Sequence, residues 1–390
     1  MAFIEDLAGM GAQASSDPAC PARPPSDGFT ALPWTKFDDG LVSCWQALSS
    51  ETPVPNPFYE PWYLLPALRQ FDPQGLCRLA TLIADGKLIG LMPLAFERRY
   101  HGHPIPHLAN WSHDNQFFGA PLIAAGYERA FWHALLDWAS RHCGSALFLH
   151  LATLALESEP FAALGEVCAE RGNPFRVVHR EKRAALDAGP TPDQHLAACL
   201  TKKRRKELDR KRRRLEELGA LEFSRHTDEA GLDDWIDHFL ALERAGWKGE
   251  ADSALACDMR TESLFRQALA GAARDGRLER IAFHFDGRPI AMLASFFTPP
   301  HVFSYKTAFD ESLAKLSPGL LLQVENLQVL GRADIEMTDS CASPDHPMMD
   351  HFWRDRRAIG NVTIGIGGPV RRAVGAGLAA LEARNMEKQG

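Results

Sequence analysis

The stretch Phe283-His284-Phe285-Asp286-Gly287-Arg288-Pro289-Ile290-Ala291-Met292 holds two apolar runs hinged on Asp-Gly, and Leu82-Ile83-Ala84-Asp85-Gly86-Lys87-Leu88-Ile89-Gly90-Leu91 repeats the pattern in the first half of the chain. Asp-Gly suits the two central positions of a tight hairpin turn, so each copy predicts a pair of antiparallel strands. Helical sequence precedes each hairpin, and a further strand and helix follow it. In the first copy these are residues 118–123 and 128–141, and in the second 301–307 and 319–330. Agreement in both the hairpin and the order of its flanks predicts a duplicated α/β unit.

Between the copies, Thr201 to Leu218 carries Lys202, Lys203, Arg204, Arg205, Lys206 and, one turn on, Arg210 to Arg214, with Leu208, Leu215 and Leu218 at helical spacing. A strongly basic amphipathic helix is expected there. Three readings stay open for it: a solvated connector, a contact for the phosphates of a ligand, or a face for an anionic lipid surface. The chain as a whole is not basic. Its 390 residues carry 43 basic and 50 acidic side chains, a net charge of −7, which argues against a general nucleic-acid binder. With 45% hydrophobic and 24% charged residues the composition is that of a soluble globular protein of two domains. No apolar run reaches the ~18–20 residues of a membrane-spanning helix, and no secretory signal opens the chain, so a cytoplasmic protein is expected, with a peripheral position at the inner membrane face as an option. The eight cysteines form no C-x-x-C pair and read as reduced thiols. Asp345, His346, Asp350 and His351 are spaced awkwardly for one helical face, and no metal is expected.

Beyond the second hairpin a strand ends near Lys306, and Lys315-Leu316-Ser317-Pro318-Gly319-Leu320-Leu321 starts a helix. Ser317 suits the N-cap, Pro318 the first helical position, and Gly319 a close approach by backbone or ligand. The unpaired amides of such a start, with the helix dipole, hold a pyrophosphate well, and Lys315 adds positive charge. The competing reading is an ordinary cap.

Four segments follow in one order: Glu243-Arg244-Ala245-Gly246-Trp247-Lys248-Gly249, the strand end Tyr305-Lys306 to Glu311, Ser317 to Leu321, and a closing Asp345-His346-Pro347 to Trp353-Arg354. Together they resemble the double-GNAT acyltransferases of the CelD/BcsL type associated with cellulose biosynthesis, which look like distant relatives of the Fem peptidyltransferases. The resemblance covers roughly Phe58 to Thr363. It implies two GNAT-like halves with acyl-CoA as co-substrate in the second. Lys315, Ser317, Pro318, Gly319, Leu320 and Leu321 would cradle the diphosphate, and the strand carrying Ser304 and Lys306 would follow the pantetheine arm. The sequence departs from the superfamily's Q/R-x-x-G-x-G/A loop, keeping only Lys315 and one glycine. Ala124-Ala125-Gly126-Tyr127 stands where the first half should have its cap, which marks that half as the non-catalytic copy. A Fem-like donor, aminoacyl-tRNA, would fit the basic helix.

Acyl transfer from a thioester to an amine requires loss of the amine proton and stabilisation of the thioester oxygen and of the leaving thiolate. Asp339, His346 and Glu336 are the candidates to take the proton, and Tyr305 to protonate the thiolate. Each has a plainer reading: Asp339 as the cap of the Ser340–Ser343 turn, His346 as a turn residue, Glu336 as a paired surface carboxylate, Tyr305 as strand core. Glu243, Trp247 and Lys248 are placed by the resemblance at the acceptor cleft, with Trp247 as a core plug in the competing view. His113 and Asp114, in a polar and aromatic stretch running to Phe118, are candidates to read the acceptor.

The expected fold is α/β (α+β), with tandem GNAT-like domains, each a mixed and mostly antiparallel sheet flanked by helices. The boundaries are a flexible leader 1–30, a first domain 31–195, a basic connecting helix 196–220, a second, acyl-CoA-binding domain 221–375, and a tail 376–390. The expected function is N-acyl transfer from acyl-CoA to an amine. The acceptor would be an envelope polysaccharide amino sugar or a sphingoid-type long-chain amine, the latter with residues 202–214 against anionic membrane. A non-enzymatic scaffold of an envelope-synthesis machine and a Fem-like transferase are the alternatives; nucleic acid is otherwise an unlikely partner by charge.

Overall fold

The computed structural model describes residues 27–387 except 345, 347, 348, 350 and 351. Most of the expected leader and the metal-like group Asp345, Asp350 and His351 therefore lie outside the described residues. The strands are β1 (Gly28–Pro33), β2 (Arg78–Ala84), β3 (Lys87–Glu97), β4 (His107–Asn110), β5 (Leu122–Ile123), β6 (Phe148–Ala155), β7 (Phe175–Asp187), β8 (Leu221–His226), β9 (Leu278–Phe285), β10 (Arg288–Thr298), β11 (His301–Phe309), β12 (Met337–Asp339) and β13 (Asp355–Gly365). The helices are α1 (Asp39–Glu51), α2 (Pro61–Phe71), α3 (Glu128–Arg141), α4 (Glu159–Glu170), α5 (Pro192–Cys199), α6 (Lys202–Leu218), α7 (Leu232–Ala245), α8 (Trp247–Glu250), α9 (Met259–Arg274), α10 (Pro318–Asn326) and α11 (Pro369–Glu387).

Both Asp-Gly hairpins form as the sequence predicts. Asp85 and Gly86 have φ of 49° and 72°, and Asp286 and Gly287 have 48° and 77°, the positive pair that matches the twist of the flanking strands. Each half then builds the same pattern of four antiparallel strands closing on one parallel pair. The first runs β1-β2-β3-β4 with β4 parallel to β6, the second β8-β9-β10-β11 with β11 parallel to β12. A single sheet joins them in the order β1-β2-β3-β4-β6-β13-β7-β12-β11-β10-β9-β8.

The structure departs from the expected boundaries at the end of the chain. β13, placed by sequence in the second domain, inserts between β6 and β7 of the first half. The expected tail is helical as far as Glu387: α11 buries Ala379 and Ala383 and packs on β7 and β13. Only Leu122 and Ile123 of the strand expected over residues 118–123 are extended in the sheet. Upstream, Asn56 donates to the carbonyls of Phe118 and Ala120 and Pro121 has no N–H to give, so that stretch is satisfied by side chains instead of a ladder. The seven cysteines among the described residues are free thiols.

Alternation along the second-half strands separates two cores. Met292, Ala294, Phe296, Phe303 and Tyr305 face α2, α7 and α9, whereas Leu293, Phe297 and Val302 face α6 and α10. α2 of the first half packs directly on α9 of the second, and Glu60, the N-cap residue of α2, lies in that junction. Its Oε2 accepts from Trp62 Nε1 at 2.7 Å and lies 3.5 Å from Arg277, while Oε1 is buried without a partner. Burial, only partly offset by Arg277 and Trp62, pushes the carboxyl from 4.5 up to about 7. The folded state therefore holds this proton between pH 4.5 and 7 while the unfolded state releases it, and the protein loses on the order of 3 kcal/mol as pH rises through that window. Glu60→Gln keeps an acceptor for Trp62 but cannot titrate. Its melting temperature, followed by calorimetry at pH 5 and pH 8, should fall less between the two than that of the unmodified protein. Equal falls would mean that Glu60 does not titrate in the fold.

Candidate active site

β11 and β12 pair in parallel over three residues only, His301 to Phe303 against Met337 to Asp339. Beyond Phe303, β11 runs on to Phe309 without β12 beside it, so the sheet opens into a wedge. α10 begins near the far end of β11, on the α6 side of the sheet. Ser317 holds φ at 53°, a left-handed conformation costly for a residue with a Cβ, and makes no side-chain cap. The expected capping bond is absent; Ser317 Oγ instead accepts from Lys211 Nζ at 2.9 Å. Pro318 has no N–H, so the amides of Gly319 and Leu320 are the first available ones.

This helix start opens onto a cavity of about 540 Å³, walled by Leu200, Phe309 and Phe352 and by Arg204, Glu207 and Lys211 of α6. Gly319 faces Phe309, with 3.1 Å between the ring and the position a Cβ would take. Leu208 and Leu215 anchor α6 on the second-half core, and Arg212 bonds Glu325 of α10 at 2.7 Å. Of the six residues expected to cradle a diphosphate, Ser317, Gly319 and Leu320 line the cavity, Pro318 and Leu321 are buried, and Lys315 is exposed and not on its wall. Arg204 and Lys211 bring the positive charge instead. The basic run made them legible as candidate phosphate ligands, but not which two of its cations would line this cavity.

The corresponding helix of the first half is closed. Glu128, the first residue of α3, is buried and its Oε1 accepts from Gly126 N–H at 3.2 Å, so a carboxylate of the chain occupies the helix start. The two halves thus differ as the Ala124–Tyr127 segment led one to expect.

On the opposite side of the sheet, a bulge in the β10–β11 ladder sets Ser304 opposite Ser295 and Lys306 opposite Ala294, leaving Tyr305 between them. A bulge re-aims side chains and leaves the extra residue unpaired. Tyr305 and Lys306 accordingly both meet groups on the α2–α7 side. Tyr305 lies in a ring cluster with Tyr63, Phe58, Phe117, Phe265 and Phe296, and its hydroxyl is 3.2 Å from that of Tyr63. Burial raises the Tyr305 phenol far above its ordinary range, which keeps it protonated. Lys306 Nζ donates to Asn115 Oδ1 at 2.7 Å, so the first-half stretch that includes His113 and Asp114 does reach the second-half strand. His113 stacks on Phe71 and Tyr63; burial and the charge of Lys306 lower it to about 3, while Asp114 points to solvent. Glu243 is buried and bonds Lys248 at 2.7 Å. Trp247 is not a core plug: 57% of it is exposed, on the one-turn α8, whose first N–H is held by Glu311.

The remaining candidates fall elsewhere. Asp339 is fully buried, 3.0 Å from Arg357 and 3.6 Å from Arg183, and accepts from Cys341 N–H. Burial opposes its ionisation, yet the two guanidiniums prevail and hold its carboxyl below the usual range. It is a paired structural anion and a turn cap, poorly suited to taking a proton near neutral pH. Glu336 is exposed at the start of β12, at the end away from the wedge. His346 Nδ1 accepts weakly from Met349 N–H at 3.5 Å, as a turn residue would. Ser304 Oγ is buried without a partner. Among the described residues no group of side chains is arranged to hold a metal, and no helix is long and apolar enough to cross a membrane.

A parallel strand pair that splays beyond a bulged neighbour and leads into an uncapped helix start defines the GNAT acyltransferase fold, and this chain contains two copies of its framework. Residues 202–346 match the acetyltransferase (GNAT) domain family. Among solved structures the chain is similar to FemX, with a TM-score of 0.55 at 11% identity over 86% of this chain and 98% of that one. It is similar also to a conserved protein of unknown function from Bacteroides thetaiotaomicron, at 0.54 and 11% over 85% and 99%. A third is a C-terminal domain assigned to a lysylphosphatidylglycerol synthetase of Agrobacterium fabrum, at 0.51 and 14% over 88% and 95%. At such identities the likeness is one of fold. No curated protein matches the chain.

Proposed function

We propose that this protein transfers an acyl group from an acyl-CoA to an amine by direct attack. One observation carries the reading: the uncapped start of α10 opens onto a cavity that Arg204 and Lys211 make electropositive, next to the splayed strands. The diphosphate would lie on the amides of Gly319 and Leu320 and on the two cations. The pantetheine arm would pass into the wedge beside β11, bringing the thioester to the bulge. There the unpaired backbone of Tyr305 can donate to the developing oxyanion. The amine attacks from the α7 side, the C–S bond breaks as the C–N bond forms, and the departing thiolate takes the proton of the Tyr305 phenol, which is restored from solvent once the product has left. The amine's own proton leaves to solvent, since Asp339 has no free role to play. The resemblance to CelD/BcsL-type proteins makes an envelope amino sugar the first acceptor class to assay and a sphingoid-type amine the second.

The test is a thermal shift with CoA and with acyl-CoAs of increasing chain length. A ligand at 100 times its Kd stabilises the native state by about 2.7 kcal/mol. Gly319→Val sets a branched side chain against the Phe309 ring that walls the cavity, and should abolish most of the shift while the protein melts cooperatively. No shift with any CoA compound would end the acyl-CoA reading and leave the scaffold alternative. A second reading, an aminoacyl-tRNA donor, is supported by the outward cations Lys202, Lys203, Lys206, Arg210 and Arg213 of α6. It requires tRNA binding that weakens steeply with salt, and flotation with anionic vesicles separates that outcome from a membrane contact of the same face.

A further inference from the structure

The side of the wedge facing α7 carries more positive charge than the protein neutralises. Lys306 has only neutral partners: the Asn115 amide oxygen at 2.7 Å and the faces of Phe117 and Tyr305 at 5.1 and 5.6 Å. Among the described residues no carboxylate forms an ion pair with it. Lys248 pairs with Glu243, whose second oxygen is already taken by Leu255 N–H at 2.8 Å. The two ammonium groups feel each other: burial first, then the charge of Lys248, lowers Lys306 to about 8. One carboxylate thus serves two cations in a setting of low dielectric, where an unmatched charge is costly. A third donor, close enough for the charge of Lys306 to act on it, is also left over. His113 Nδ1 accepts from Asn115 N–H at 3.3 Å, which leaves the proton on Nε2, and that nitrogen is buried with no partner. The Lys248 end of the pair is reachable, since 27% of its side chain is exposed, and its chain neighbour Trp247 stands open to solvent.

We infer that the amine acceptor carries an anionic group, a carboxylate or a phosphate, that docks on the ammonium groups of Lys306 and Lys248. This rests on the acyltransfer reading for its assignment to the acceptor, because the pair lies across the sheet from the α10 cavity. The anion completes the charge balance and holds the amine at the bulge, where a thioester would arrive. It also explains why the bulge turns Lys306 away from the donor side on which the sequence had placed it.

Two measurements test it. In the first, calorimetry without any donor follows binding of L-glutamate and of glucosamine 6-phosphate, each against its neutral counterpart, L-glutamine amide and glucosamine. One anionic probe should bind at least tenfold more tightly than its counterpart, and which one does so distinguishes carboxylate from phosphate. The double variant Lys248→Met, Lys306→Met should erase that preference, and the conservative single variant Lys306→Arg should keep most of it. Equal binding of charged and neutral probes, or a preference that survives the double variant, would overturn the inference. The second measures thiol release from acetyl-CoA with the same four acceptors. The anionic preference should appear in KM more than in kcat. If CoA fails to bind, the donor reading falls, while the calorimetry still decides the anion subsite by itself.

Discussion

Replacing Asp339 by alanine should cost about 3–5 kcal/mol of stability, the effect of removing one partner from a buried ion pair and leaving the other charge uncompensated. Asp339 has no exposed surface and stands where the two halves of the sheet join, with Phe303 on one side and Ala185 on the other in strand register. Arg357 donates to it at 3.0 Å while lying over the rings of Phe118 and Phe303. Without the carboxylate that guanidinium remains in an apolar setting with nothing of opposite charge against it. Arg183 suffers less, because it also bonds Glu181 at 2.9 Å and the Phe117 carbonyl at 2.6 Å. Urea denaturation should show the midpoint falling sharply for Asp339→Ala and by a smaller amount for Asp339→Asn, which keeps an acceptor but not the charge. An unchanged midpoint together with lost acyl transfer would return Asp339 to the role of proton acceptor that the sequence suggested.

That contrast shows where sequence reading succeeded and where it stopped. Features set by neighbours along the chain were legible. Asp85-Gly86 and Asp286-Gly287 specify their turns through local backbone preference, and Leu208 and Leu215 specify the inner face of α6 through helical period. The position of the α10 start was legible as Ser317-Pro318-Gly319, but Ser317 was expected to cap it, and its left-handed backbone, which leaves the start uncapped, was not foreseen. Features set across the sheet were hidden. Nothing near Asp339 announces Arg183, which arrives on β7 from the middle of the chain, or Arg357, which returns on β13 a few turns of chain later. The return of β13 into the first half is likewise a pairing of residues far apart in sequence, with no local signature. The resemblance placed Lys306 with Ser304 along the pantetheine arm, and the bulge, which no neighbouring residue announces, breaks the alternation of that strand by one residue. Trp247 was legible as a cleft candidate only through the resemblance; its 57% exposure on the one-turn α8 removes the competing core reading that large aromatic residues usually favour.

The second large effect concerns the charge that α6 lends to the donor cavity. On the proposed donor site Arg204 and Lys211, which line the cavity, take the place of the glycine-rich loop that the sequence lacks, so a diphosphate bound there would depend on side chains from a different element. Arg204→Ala with Lys211→Ala removes two charged donors and leaves Glu207 on the same wall, turning an electropositive cavity into an acidic one. Charged hydrogen bonds contribute about 1.5–3 kcal/mol each. The pair should therefore weaken CoA binding by about 10²-fold or more, read by calorimetry as Kd. The fold should hold, because α6 stays anchored by Leu208, Leu215 and the bond between Arg212 and Glu325. Salt gives an independent check. Binding to the unmodified protein should weaken between 50 mM and 500 mM sodium chloride more than binding to the variant, which has less charge left to screen. As a control, Lys202→Ala with Lys203→Ala removes two charges from the exposed start of the same helix and should change Kd by less than about threefold. If that outward pair mattered as much as the inward one, the donor would be held by the field of the whole helix, as a long polyanion would be, and not by the corner where α6 meets α10.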